Sequence, residues 1–202
     1  MTREVDADKR ATLRRFAALG AATPLAASGR AVADGDDSAA RDAIRGYLAT
    51  TPGAHFSKLR DDLSLATGET QHHLERLESA GEVVSQKDGD YRRYFPAGRF
   101  SAFERRALGY LRRDTPRGML LGLLRRPAAS GADLARSLGV SRATVSTYAG
   151  KLADAGLLDT EGGYRVTRPE VLIALVVRYA DSFGPDAAAF ADDAASFISY
   201  DG

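Results

Sequence analysis

Few residues in this 202-residue chain have the types and spacing that catalysis or metal binding requires. The chain has no cysteine and three histidines, His55, His72 and His73. Adjacent residues on a helix point about 100° apart, so a metal site would need His55 to join one of the other two. The paired carboxylates Asp61 and Asp62 have no nucleophile motif nearby, and no glycine-rich phosphate loop is present. We therefore expect no enzymatic activity, cofactor or metal.

Charged residues are unevenly distributed along the chain. The whole chain has 28 basic and 27 acidic residues, a net charge of +1. Residues 99–126 contain eight basic and two acidic residues, a net charge of +6, whereas residues 169–202 contain one basic and six acidic residues, a net charge of −5. The arginine-rich middle either contacts phosphates or pairs with the acidic tail, and the sequence leaves both interpretations open.

The N-terminal residues 1–37 are predicted to form a partly flexible extension. The acidic, glycine-containing segment Asp34–Asp37 is typical of a linker. Arg14-Arg15 before a mildly apolar stretch has the outline of a twin-arginine export signal, but Phe16 stands where that pattern has a polar residue. A short amphipathic helix is the favoured interpretation. No apolar run reaches the roughly 20 residues that span a bilayer, so we expect a cytoplasmic protein without membrane contact.

From Ser38 onward, apolar spacing predicts three helices and a two-stranded ribbon. Ser38 is the expected cap of the first helix, and Pro52-Gly53 ends it. A second, short helix follows, and a third extends over about residues 67–80. The segment Lys87–Asp90 contains Asp-Gly between two strand-like stretches, which is a strong hairpin signal.

The same order of elements returns further along the chain. Ser130 and Ser141 are expected to begin the second and third helices of this copy, and Gly162-Gly163 is its hairpin turn. Residues of the two copies match at a constant offset of 75 positions: Leu59 with Leu134, Leu63 with Leu138, Leu77 with Leu152, and Ala80-Gly81 with Ala155-Gly156. The constant offset indicates a duplicated structural unit.

Additional helices are predicted between and after the copies. Ser101 and Glu104 have capping-box spacing at the start of a linking helix. Pro169 begins a helix in which the run Val171–Val177 has no polar residue, so this helix belongs to a domain core or to a dimer interface. A last helix is predicted over about residues 186–200.

Each copy resembles a winged helix-turn-helix domain. The first, Gly53–Pro96, is similar to the ArsR/MarR-like regulators common in archaea, because His73-Leu74 precedes Leu77 and Ala80-Gly81 in its third helix. Ser141–Leu158 in the second copy is similar to the same class. The resemblance implies a mainly α fold with small β-wings. We expect an N-terminal extension (1–37), a first winged helix domain (38–98), a linking helix (99–114), a second winged helix domain (115–168) and C-terminal helices for packing or dimerisation (169–202).

The resemblance also implies a sequence-specific DNA-binding transcriptional regulator. Its third helices would enter the major groove, and a basic wing would contact phosphates. The expected contacts in the first copy are Thr67, Gln71, His72 and Arg76 on the helix, and Lys87, Arg92 and Arg93 on the wing. Those in the second copy are Arg142, Thr144, Ser146, Thr147 and Lys151. The expected partners are double-stranded DNA and a second copy of the chain, and the sequence identifies no small-molecule effector.

Two questions stay open at this point. The first copy has the more basic wing, but Glu69 and Glu75 weaken its third helix as a DNA contact. The second copy has the better helix, but its wing turn, Glu161–Gly163, is short and not basic. The sequence does not decide which copy makes the main DNA contact. The near-neutral charge and acidic tail also fit a tandem winged helix module that binds proteins and not DNA. A third alternative is a variant delivered to a membrane by the twin-arginine-like segment.

Overall fold

The computed structural model describes residues 32–194, with side chains described from residue 38 onward. The chain divides into two compact units, with the boundary between Phe100 and Ser101. Their described parts are mostly helical, with one small antiparallel sheet in each, which confirms the predicted fold class. No helix in these parts is long and apolar enough to cross a membrane. The twin-arginine-like segment and the end of the predicted last helix lie outside the described residues.

Within residues 32–100, the first unit contains three helices and a three-stranded sheet. They are α1 (Val32–Thr50), β1 (Ala54–His55), α2 (Phe56–Leu63), α3 (Thr67–Ser79), β2 (Val83–Asp88) and β3 (Tyr91–Pro96). The strand order is β1-β3-β2, and all pairs are antiparallel. Asp88 pairs with Tyr91, and Gly89 between them has a φ of +62°, which glycine adopts without strain. The predicted hairpin is therefore confirmed.

The start of α1 differs from the prediction. The helix begins at Val32 and includes Asp34–Asp37, which the sequence indicated as a linker, so Ser38 lies inside the helix and does not cap it. Acidic residues interact favourably with the partial positive charge of a helix N-terminus. The aspartates of this segment are therefore compatible with the start of a helix as well as with a linker.

The core of the first unit is formed by the inner faces of its helices and sheet. α1 contributes Ile44, Tyr47 and Leu48, and each is at most 2% exposed. The other members of this core include Leu59 and Leu63 of α2, Leu74 and Leu77 of α3, and Val83 and Tyr94 of the strands. Each large apolar side chain buried in this way stabilises the fold by roughly 1.5–3 kcal/mol. The packing fixes the opposite face of α3 toward solvent.

The second unit contains six helices and a two-stranded sheet within its described part. The elements are α4 (Ala102–Leu111), α5 (Asp114–Arg125), α6 (Gly131–Leu138), α7 (Arg142–Asp154), β4 (Leu158–Asp159), β5 (Arg165–Val166), α8 (Pro169–Phe183) and α9 (Pro185–Asp193). The predicted linking helix corresponds to α4, which packs against α5 and α8. Its capping box is confirmed, because the Glu104 amide donates to Ser101 Oγ and the Ser101 amide donates to the Glu104 carboxylate.

Helix α8 is buried on one side. Leu172, Leu175 and Val176 are at most 5% exposed, whereas Val177 is 46% exposed. The apolar run is therefore part of the core of the second unit, and it also leaves an apolar side chain at the surface.

Part of the arginine-rich middle does pair with the acidic tail, inside the second unit. Arg117 is buried, and its Nε donates to both carboxylate oxygens of Asp186 at 3.0 and 2.8 Å. Its Nη1 donates to the Leu111 carbonyl at 3.2 Å. Arg125 lies 3.7 Å from the Asp193 carboxylate. These two arginines link α5 to α9, and its burial makes Arg117 unavailable as a phosphate contact.

The structure confirms the duplicated pattern. Helices α2 and α6, and likewise α3 and α7, begin and end at positions 75 residues apart. Gly81 and Gly156 follow the third helices with φ values of +70° and +71°. The wings differ in length: 13 positions separate the paired residues Val83 and Pro96, whereas 8 separate Leu158 and Val166.

Candidate nucleic-acid interface

Helix α7 presents a solvent-exposed face of small and polar side chains. Ser141 caps the helix, since its Oγ accepts a hydrogen bond from the Thr144 amide at 3.0 Å. Val145, Ala149 and Leu152 are at most 2% exposed and fix the buried face. The opposite, exposed face carries Arg142, Ala143, Ser146, Thr147, Gly150 and Lys151.

The structure places most of the α7 residues predicted from the sequence on this exposed face. Arg142 is the first residue of the helix, and its side chain has no hydrogen bond or ion pair with any described residue. Lys151 is exposed, with its Nζ 5.4 Å from the centre of the Tyr148 ring. Thr144 is different, because it is half-buried and its Oγ1 lies 2.9 Å from Ser141 Oγ. Its hydroxyl therefore already takes part in the helix cap.

Helix α3 has its predicted residues exposed as well, but several are bonded to neighbours. Gln71 Nε2 donates to Glu75 Oε1 at 2.9 Å. Thr67 Oγ1 accepts from Arg60 Nη1 at 3.4 Å. The other two predicted residues of this helix, His72 and Arg76, are exposed. The outward surface of α3 is therefore partly occupied by contacts within the first unit.

The histidines have structural positions. His55 Nδ1 accepts a hydrogen bond from the Lys58 amide at 3.2 Å and caps α2. His73 is 3% exposed and belongs to the buried side of α3, and its ring centre lies 5.5 Å from that of His72. Within residues 32–194, no three histidine or acidic side chains are grouped as metal ligands.

The wing of the first unit, formed by β2 and β3, has two exposed basic residues opposite each other. Lys87 pairs with Arg92 across the ribbon. The Arg92 side chain is 60% exposed, although its Nη2 donates to the Glu78 carboxylate at 3.0 Å and its Nε donates to Ser85 Oγ at 2.6 Å. Both residues are positioned to contact a polyanion from the solvent side.

Arg93 does not have the position that the sequence indicated. Its side chain is 4% exposed and forms an ion pair with Asp88, while its Nη1 donates to the Gly53 carbonyl at 2.9 Å. Adjacent residues of a strand point to opposite faces, so Arg92 and Arg93 cannot both face solvent on one side. Burial makes Arg93 a structural residue of the β1-β3-β2 sheet, and the predicted phosphate contact is not available to it.

The wing of the second unit, formed by β4 and β5, is short, and its one arginine, Arg165, is paired. Arg165 Nη2 donates to Asp159 Oδ2 at 2.6 Å. The pKa of the Asp159 carboxyl is lowered most by a hydrogen bond from the Glu161 amide and next by the one from Arg165, and the carboxyl therefore stays ionised. This wing offers a phosphate no unpaired cation comparable to Lys87.

Two small residues of the exposed α7 face were missed by the sequence analysis. Ala143 and Gly150 carry no hydrogen-bonding side chain, and only polar and basic residue types predict DNA contacts from sequence. The signal was present in the sequence as a glycine inside a helical pattern, which is unfavourable unless something requires it.

Comparison with known protein families agrees with this architecture. A family model described as an N-terminal HTH domain matches residues 38–108, and one described as a Crp-like helix-turn-helix domain matches residues 106–175. The chain carries two helix-turn-helix domains in tandem. Domains of this type bind DNA, and their presence supports a role in transcription regulation. Neither description names the ArsR/MarR-like class, so that narrower resemblance stays a prediction. No curated protein and no solved structure matches the chain.

Proposed function

We propose that this tandem helix-turn-helix protein is a sequence-specific DNA-binding transcriptional regulator. The observation that carries the proposal is Arg142, exposed and without a partner in the described residues, on the first turn of a capped recognition helix. An arginine at this place can donate two hydrogen bonds to the O6 and N7 atoms of guanine, which is the commonest specific contact in the major groove. The Ser146 and Thr147 hydroxyls follow one turn later on the same exposed surface.

The first wing supplies the sequence-independent part of the proposed interaction. Lys87 and Arg92 project from a ribbon whose tight turn at Gly89 keeps the tip narrow. Basic residues at such a tip contact phosphate oxygens and release counterions, so the affinity falls as salt rises. These contacts position the protein on DNA, while base contacts provide the specificity.

The test is fluorescence anisotropy of the full-length protein on DNA sites enriched from a randomised pool, titrated with salt, beside an unselected control duplex. We expect tighter binding to the enriched sites and a linear fall of log affinity with log salt, whose slope gives the number of phosphates contacted. A protein that is folded by circular dichroism but binds neither duplex would refute the proposal.

The competing function is a protein-interaction module. The contacts made by the exposed side chains of α3 favour this function for the first unit, because Gln71 is bonded to Glu75 and Thr67 to Arg60 of α2. It predicts negligible DNA binding at physiological salt in the titration above, and a stable protein partner in pull-downs from the source cells under the same conditions.

We also propose that the regulator acts as a homodimer in the cytoplasm. Regulators that place recognition helices in the major groove commonly bind palindromic sites as dimers. Val177, the exposed apolar residue of α8, provides the variant for a test. Sedimentation equilibrium is expected to show a dimer for the parent and a weaker dimer for Val177→Asp, whereas a monomeric parent would exclude the homodimer. Mass spectrometry of the native N-terminus tests the exported alternative, which requires a chain that begins near Asp34.

A further inference from the structure

We propose that base-specific contacts are made by the second unit alone, through a smooth face of α7, and that the matching face of α3 makes none. The smooth face consists of Arg142, Ala143, Ser146, Thr147 and Gly150. This inference rests on the DNA binding proposed above and assigns it to one of the two recognition helices.

The duplication allows the two faces to be compared residue by residue. α3 and α7 have the same length and the same helix end, and the three buried residues of α7, Val145, Ala149 and Leu152, match buried residues of α3. The differences that concern a partner therefore lie mainly on the exposed faces. At the constant offset of 75, the pairs are Arg142 with Thr67, Ala143 with Gly68, Ser146 with Gln71, Thr147 with His72, and Gly150 with Glu75.

Gly150 is a residue that the fold alone does not require. It lies in the interior of α7 and is exposed, and a Cβ added to it would have no atom within 4 Å. Its conformation is helical, so no positive φ calls for glycine. Alanine would be the better helix former at such a position. A surface that comes close to the helix backbone from outside gives glycine a purpose here.

DNA is such a surface. A helix with its side chains is about 10–12 Å wide, and the major groove is about 12 Å wide, so the fit is tight. Small residues on the inward face let the helix enter deeply, and this brings Ser146, Thr147 and Arg142 within reach of the base edges. On α7, the residues that would face the groove floor are small, and the arginine stands at the end of the row.

The matching face of α3 is unsuited to the same contact. Glu75 occupies the position of Gly150, and it is exposed and holds the amide of Gln71. α3 contains three acidic residues and one basic residue, a net charge of −2, whereas α7 contains one acidic and two basic residues, a net charge of +1. Phosphates on both sides of the groove would repel α3 and attract α7.

The first experiment changes the residues at one pair of matched positions, Gly150 and Glu75, in the full-length protein. Gly150→Glu is expected to lower affinity for enriched DNA sites by about tenfold or more, through bulk and charge inside the groove. Glu75→Ala, the matched control, is expected to leave the enriched sequence and its affinity unchanged within about twofold, because α3 does not lie in the groove. Equal affinity of Gly150→Glu and the parent would overturn the proposal.

Gly150→Ala separates folding from binding. The added methyl group meets no atom of the chain. Alanine stabilises a helix more than glycine does. For a chain of this size, we therefore expect the melting temperature to rise by about 2–4 °C. Affinity for the enriched site is nevertheless expected to fall several-fold. A variant that is more stable and binds as tightly as the parent would contradict the requirement for a smooth face.

Selection from a randomised pool then locates the base contacts. With Arg142→Ala, the selected DNA is expected to lose its preference for guanine at one position and to keep its preferences at the others. Gln71→Ala and His72→Ala are expected to select the same sequence as the parent. If the α3 variants change the selected sequence, the assignment to the second unit is wrong although DNA binding stands. If the parent itself selects no sequence, the proposed function fails, and the assignment fails with it.

Discussion

Replacing Arg93 with alanine is expected to destabilise the first unit. Sequence reasoning placed this residue on a DNA-binding wing, where its loss would weaken binding and spare the fold. In the structure its guanidinium is buried, forms an ion pair with Asp88 and donates a hydrogen bond to the Gly53 carbonyl. The guanidinium carbon lies 5.7 Å from the centre of the Tyr91 ring. The two interpretations therefore make opposite predictions about stability.

The magnitude follows from the groups that the substitution leaves behind. The Gly53 carbonyl lies in a buried residue and would lose the donor at 2.9 Å, which costs about 1–3 kcal/mol. The Asp88 side chain is 20% exposed and would lose its ion pair, but water reaches it in part, so this adds about 1 kcal/mol. We expect a loss of about 2–4 kcal/mol in the free energy of unfolding of the first unit.

The assay is urea unfolding followed by circular dichroism, with hydrogen–deuterium exchange and mass spectrometry to follow the two units separately. Exchange is expected to increase in residues 32–100 and to stay near the parental rate in the second unit. Arg92→Ala is the matched control, since that side chain is 60% exposed and its loss is expected to change stability by at most about 1 kcal/mol. Equal stability of Arg93→Ala and Arg92→Ala would refute the structural role of Arg93.

Three further predictions concern phosphate contacts, a buried cation and acid stability. Lys87→Ala combined with Arg92→Ala is expected to weaken binding to every DNA sequence alike and to reduce the salt slope by about 2, measured in the anisotropy titration; a changed base preference would contradict a phosphate role. Arg117→Met is expected to destabilise the second unit by about 1–3 kcal/mol in urea unfolding, because buried carbonyl and carboxylate groups lose their donor; unchanged unfolding would contradict this. The hydrogen bond from Arg45 lowers the pKa of the Glu82 carboxyl below its ordinary value of 4.5. This stabilising contribution is present above the pKa that Glu82 has in the unfolded state, and it is lost as the pH falls through the pKa in the folded state. Glu82→Gln is therefore expected to flatten the profile of stability against pH in that acid range. A profile as steep as the parent's would exclude a stabilising Arg45–Glu82 pair.

Much of the fold was predictable because its signals are local. Ser130 and Ser141 were expected to begin helices, and each side chain accepts a hydrogen bond from the amide three residues later. The hairpin at Asp88-Gly89 needed only the left-handed preference of glycine between two strand-like segments. The duplication was visible because each helix must present apolar residues at a fixed spacing, and that spacing is written directly in the sequence.

What the sequence left undecided depends on contacts between distant residues. The burial of Arg93 is set by the Gly53 carbonyl, 40 positions earlier in the chain. The pairing of Arg117 with Asp186 spans 69 positions, and net charge alone could not separate it from an exposed phosphate contact. Gly150 was overlooked for a different reason: an exposed residue without a polar group has meaning only when the surrounding empty space is known.

The two units share one duplicated architecture and differ on its exposed surface. The main buried positions and the helix ends are shared. For example, Leu77 and Leu152 are each at most 1% exposed, and Gly81 and Gly156 have nearly the same φ. Those positions determine whether each unit folds. The exposed positions have no such restriction, and there the copies differ in charge, in side-chain size and in wing length. A first unit with a basic wing but an acidic helix suits contacts with phosphates, whereas a second unit with a paired wing but a smooth, basic helix suits contacts with bases. Because each unit lacks what the other has, sequence-specific binding by the proposed mechanism requires both, and neither domain alone is expected to reproduce the affinity of the full chain.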